Sequence, residues 1–235
     1  MPTYVDARRE AARGFFQFLE GQLKADEVLA DKQCVRLIIE KAQAEHAAGS
    51  RKRFDADATF RNKVLYGKMD DAVAAWCRRR ELRTDPYNVL RYGGRERGPT
   101  QHETAIGPSQ PMIQRVFDRL AERVAALPDC RSVVEKASTK VIAPAFRLQP
   151  PLPFGAAGEV AYGATRADIE RSIYQVAMYA ASGGDPSRGW RYDCGLLIVY
   201  GLEGPRAVLG EPLFEAWPEV HTQVWEAARV WVILL

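Results

Sequence analysis

The chain has 235 residues, of which 47% are hydrophobic and 27% charged, with a formal net charge of +3. That balance excludes a disordered chain, and no apolar run reaches the roughly 18 residues a membrane-spanning helix needs. Four separated cysteines without a CxxC pair, and a polar start over residues 1–9, predict neither a zinc site nor a secretory signal. They predict reduced thiols in a cytoplasmic protein.

In chain order, Phe15, Phe16, Leu19 and Leu23 form an apolar stripe at helical spacing, and Val35, Leu37, Ile38 and Ile39 begin a second. Gly49-Ser50 ends that second helix, and Arg51, Lys52 and Arg53 follow at once. Phe60, Val64, Leu65, Val73 and Trp76 predict a further helix, interrupted near Gly67 and closed by Arg78, Arg79 and Arg80. Residues 84–111 read as a loop carrying Arg91, Tyr92, Arg95 and Arg97. Residues 51–100 hold thirteen Lys/Arg against seven Asp/Glu, whereas residues 128–235 hold ten against twelve. Such unevenness suits a polyanion-binding face, and equally a solvated helical surface.

From Ser109, a plausible N-cap position, Met112 to Leu127 follow a helical period that ends at Pro128-Asp129. Val133-Val134 and Val141 to Leu148 read as a strand hairpin, and Glu159-Val160-Ala161 as a short strand after a Pro-rich stretch. Thr165 with Asp168 three residues on resembles a capping arrangement that opens a helix over 166–182. A buried strand at 194–200, a helix near 213–227 and a final apolar strand from Val230 follow. Apolar strands joined by helical crossovers predict an α/β fold with a mixed central sheet flanked by helices. Residues 1–108 then form a helical N-terminal region with its basic loop, and residues 109–235 the α/β core.

Over roughly residues 109–200 this order resembles the catalytic half of the PD-(D/E)XK nucleases, in the RecB-like and McrC-like branch that carries a Q-x-x-x-Y element. The residues carrying it are Pro128-Asp129, Glu159-Val160-Ala161, and Gln175 with Tyr179 one helical turn on. The resemblance implies a restriction-endonuclease-like core in which two carboxylates, Asp129 and Glu159, hold Mg²⁺ and activate water. It implies that Gln175 and Tyr179 orient the site. It further implies DNA as partner, held by Arg51, Lys52, Arg53, Arg78, Arg79, Arg80, Arg91, Arg95, Arg97 and Arg171.

The chain departs from the pattern at Ala161, where the family has the lysine that assists attack. Lys140 could supply that amine from a neighbouring strand. The expectation is therefore a Mg²⁺-dependent endonuclease of restriction or phage defence, or a catalytically silenced form that keeps DNA binding. The alternative is a non-catalytic assembly subunit of a viral, phage or nucleoprotein complex. Trp190, Trp217, Trp225 and Trp231 near the C-terminus read as core anchors first, and as the surface for a homodimer or protein partner second.

Overall fold

The computed structural model describes residues 4–82, 89–92, 144–182, 191–202 and 217–235. Within them the chain is α/β, with helices packed on a mixed five-stranded sheet. The predicted helix after Ser109 and the strand at Val133-Val134 lie outside the described residues, as does the predicted domain boundary. No described helix is long and apolar enough to cross a membrane.

The N-terminal region is helical, as its periodicity predicts. Helix α1 (Tyr4–Lys24) buries Phe15, Phe16, Leu19 and Leu23. Short α2 (Glu27–Ala30), α3 (Lys32–Gly49) and α4 (Ala56–Phe60) each begin at an aspartate. Asp26, Asp31 and Asp55 accept the backbone N–H of Leu29, Cys34 and Ala58, each at 2.9 Å. Each such cap satisfies an orphan donor of the first turn and contributes about 1 kcal/mol.

Two expectations need correction in this region. Leu37 is not part of the apolar stripe but is 54% exposed, because α3 buries Val35 and Ile39, four apart, with Ile38 partly buried against the same core. Nor does the helix break at Gly67. Helix α4 passes through a π-turn (Arg61–Leu65) directly into α5 (Tyr66–Arg79), so the irregularity precedes the glycine.

The sheet runs in sequence order, β1 (Leu90–Tyr92), β2 (Phe146–Leu148), β3 (Ala156–Tyr162), β4 (Cys194–Tyr200) and β5 (Val230–Leu234). Strands β1, β2 and β3 pair antiparallel, while β3, β4 and β5 pair parallel. Helix α6 (Arg166–Ser182) makes the first parallel crossover and α7 (Trp217–Ala228) precedes β5. The stretch read as a continuous loop from residue 84 thus contains a strand. Tyr92 fixes it, because its hydroxyl donates to Asp70 at 2.7 Å and lies 3.0 Å from the Tyr66 carbonyl.

Side chains alternate across the strands, which gives the sheet two distinct faces. Phe146, Leu148, Val160, Leu196, Ile198 and Ile233 join one core cluster with the apolar stripes of α1 and α5. The described parts of the N-terminal and C-terminal regions therefore share one core. Phe16 packs edge-on to Phe154 and Trp225, and Trp231 donates its indole N–H to Glu20 at 3.1 Å. Trp225 and Trp231 are accordingly core residues, buried inside the chain, and Trp190 lies outside the described residues. The opposite face receives α6, which packs on β3 and β4. There Gly195 lets the helix approach, since a Cβ at that position would lie 2.2 Å from Val176 Cγ1.

Candidate active site on the α6 face of the sheet

Alternation along β3 turns Ala157, Glu159 and Ala161 to the α6 face, between Ala156, Gly158 and Val160 on the other. Across the antiparallel ladder, Phe146 pairs with Gly158 and Arg147 with Ala157, so the residue opposite Glu159 is Ala145. The Ala145 N–H donates to Glu159 Oε1 at 3.2 Å. The Tyr66 hydroxyl donates to the Ala145 carbonyl at 3.0 Å and so anchors the start of β2 from α5.

Helix α6 presents the Q-x-x-x-Y pair to this face. Thr165 and Asp168 cap the helix reciprocally: Asp168 accepts from the Thr165 hydroxyl at 2.7 Å and its N–H at 3.1 Å, and the Asp168 N–H reaches back at 3.3 Å. One turn of helix separates Gln175 from Tyr179, and Gln175 Nε2 donates to the Tyr179 hydroxyl at 3.1 Å. Burial pushes the Tyr179 phenol well up, and the neighbouring Glu159 charge adds to the shift. Tyr179 is also close to Ala157 and to Tyr192, with which it forms a small cluster. Arg147, only 3% exposed, donates through Nε to the Tyr192 hydroxyl at 2.8 Å.

Burial dominates the electrostatics of Glu159, pushing its carboxyl up to about 8 against the opposing pull of Arg61 and the Ala145 N–H. Asp57, at the start of α4, is the nearby charge that raises it further. Asp57 Oδ1 accepts the Tyr162 N–H at 2.8 Å, where β3 runs on past the end of β2. Burial raises the Asp57 carboxyl too, despite that hydrogen bond and Arg61, and Asp55 and Asp168 contribute repulsion. Two carboxyls with raised pKa and one guanidinium thus influence one another at the carboxyl end of β3. Desolvation together with a specific charge partner is the pattern expected of functional carboxyls.

The structure brings Glu159, Ala161, Gln175 and Tyr179 to one face. Asp129, Arg95 and Arg97 lie outside the described residues. Arg51, Lys52 and Arg53 are exposed in the α3–α4 connection, and Arg78, Arg79 and Arg80 are exposed at the end of α5. Arg91 lies on β1. Arg171 is exposed and paired with Asp168 at 2.6 Å. Sequence reasoning missed Ala145, Arg147, Tyr192, Asp57 and Arg61. Pro144-Ala145 carried a signal, a proline followed by a small residue at the head of a strand. Asp57 carried none, because only the tertiary fold carries α4 to β3.

The donor set bears on the metal that the nuclease resemblance implies. Ala161 stands two residues beyond Glu159 where the lysine would be, Ala145 lies opposite Glu159, Asp129 lies outside the described residues, and no group of three His, Cys, Asp or Glu residues among the described ones could hold an ion. The described residues therefore do not make up a Mg²⁺ site by themselves. What they can do is hold a protonated carboxyl beside a tyrosine pair and a buried arginine. No family model matches the chain, and no curated protein or solved structure matches it either.

Proposed function

We propose that the chain is a DNA-directed protein with a restriction-endonuclease-like core, acting in restriction or phage defence with its hydrolytic centre silenced. The observation that carries this reading is the shared face of β3 and α6. Glu159 projects from the strand between an antiparallel and a parallel neighbour, and the crossover helix turns Gln175 and Tyr179 toward it. A nuclease of this class needs a second acid on the adjacent strand and a basic group two residues beyond Glu159. Among the described residues Ala145 and Ala161 supply neither, and Asp129, the acid that the sequence offers, lies outside them. Glu159 is then the one strand carboxylate of the described face. The exposed basic runs at 51–53 and 78–80 supply phosphate contacts, which predicts DNA binding that weakens steeply with salt.

The test compares the native chain with Ala145→Asp/Ala161→Lys on supercoiled DNA in Mg²⁺ or Mn²⁺. Nicking by the double variant alone, with salt-sensitive DNA binding by both proteins, is the expected result. Metal-dependent cleavage by the native chain, abolished by Glu159→Gln, would refute the silencing. If neither protein binds DNA, the reading falls and the assembly subunit takes its place.

A further inference from the structure

Away from the α6 face, helix α1, the end of α5 and the β2–β3 connection enclose a cavity of about 330 Å³. That volume is at the small end of the range for small-molecule sites, enough for one aromatic ring system and its sugar. Trp76, Phe154 and Pro153 supply its apolar walls, and Gly14 opens the α1 side. Arg80 also lines it, with the guanidinium 4.5 Å above the Trp76 ring. Such a stack is already assembled and offers a planar cationic surface, of the kind on which unpaired bases rest.

The charge around the cavity narrows the ligand. Arg78, Arg79 and Arg80 are consecutive and exposed, and none forms an ion pair with a described carboxylate. Arg79 is held 4.8 Å over the Phe18 ring, which fixes its position next to the cavity. Arg79 and Arg80, each laid over a ring of the Phe18–Trp76 pair, set two cations beside an aromatic recess, which matches a phosphate chain bearing flat bases. Glu10, also lining the cavity, is an exposed carboxylate that can accept from an exocyclic amine.

We propose that this cavity takes one unstacked, amine-bearing base of single-stranded DNA, with the flanking phosphates on Arg79 and Arg80. The inference rests on the DNA-directed reading and adds a strand state and a base-holding site to it. Stacking of one base is worth about 1–3 kcal/mol, so a base-bearing strand binds roughly tenfold tighter than an abasic one of equal charge.

The test titrates the full chain by fluorescence anisotropy with oligo-dC, oligo-dT, an abasic strand of equal length and a duplex. It uses three variants, each checked for native circular dichroism. Gly14→Leu fills the cavity from a position where a Cβ meets only Trp76, at 4.0 Å. Arg80→Gln removes the stacked cation, and Glu10→Gln the acceptor charge. Support is oligo-dC binding about tenfold tighter than the abasic strand in the native chain, with that advantage lost in Gly14→Leu. Loss of the oligo-dC preference over oligo-dT in Glu10→Gln would support the amine contact. Equal affinity for base-bearing and abasic strands overturns the cavity site while leaving DNA binding intact. Indifference to Gly14→Leu overturns it as well. Failure of every DNA to bind, duplex included, removes both this site and the DNA-directed reading.

Discussion

Replacing Glu159 with Gln isolates the cost of burying an acid on the α6 face. The carboxyl moves from an ordinary 4.5 to about 8 in the folded chain, chiefly through burial. Folding therefore favours the protonated form. Below pH 4.5 both states carry the proton and the contribution is fully present; as pH rises toward 8, only the unfolded state has released it and stability falls. Each pKa unit corresponds to about 1.4 kcal/mol, so the full shift sets a ceiling of roughly 5 kcal/mol. Glu159 keeps some accessible surface, and relaxation of the site lowers the expected loss to about 2–4 kcal/mol. Gln has the same shape, keeps an oxygen for the Ala145 N–H and does not titrate. Urea unfolding of both proteins at pH 5, 7 and 9 measures the difference directly. Near pH 5 the two are expected to match closely, and by pH 9 Glu159→Gln is the more stable by that margin. A difference that stays constant across the range would refute the burial argument. One that grows in favour of the native chain would mean that the carboxylate is held charged by a partner.

Two further substitutions probe how α6 is set against the sheet. Gly195→Ala would drive a methyl group into Val176 at 2.2 Å, and thermal unfolding should register a loss of about 1–3 kcal/mol. Asp168→Ala removes the acceptor of both Thr165 donors and should cost about 1 kcal/mol; unchanged denaturant unfolding would show that the cap contributes nothing.

Long, locally encoded elements were legible in the sequence. The strand expected over 194–200 is β4, the helix expected over 166–182 is α6, and the Thr165–Asp168 cap forms as its spacing implies. Periodicity failed where a tertiary partner decides the outcome. Leu90–Tyr92 is only three residues long and gains its strand character from pairing with Phe146–Leu148, far away in sequence. Gly67 suggested a break because glycine is a poor helix former, yet Met69 and Val73, buried on the same helix, hold it in place. The candidate site divides the same way. Gln175 and Tyr179 share a face because a helical turn requires it, and Glu159 and Ala161 because a strand does. The apposition of Ala145 to Glu159 depends on hairpin register, and that of Asp57 on the docking of α4, neither of which a linear pattern encodes.

The pairing of Trp231 with Glu20 spans 211 residues. At about 5–20 residues per second, a ribosome needs roughly 10–40 s to make the chain between them. Through that interval the Phe15–Phe16 stripe of α1 has neither Trp225 nor Trp231 to cover it. Closure of the core between α1 and the C-terminal tryptophans is therefore a late event in synthesis, resting on contacts of large sequence separation.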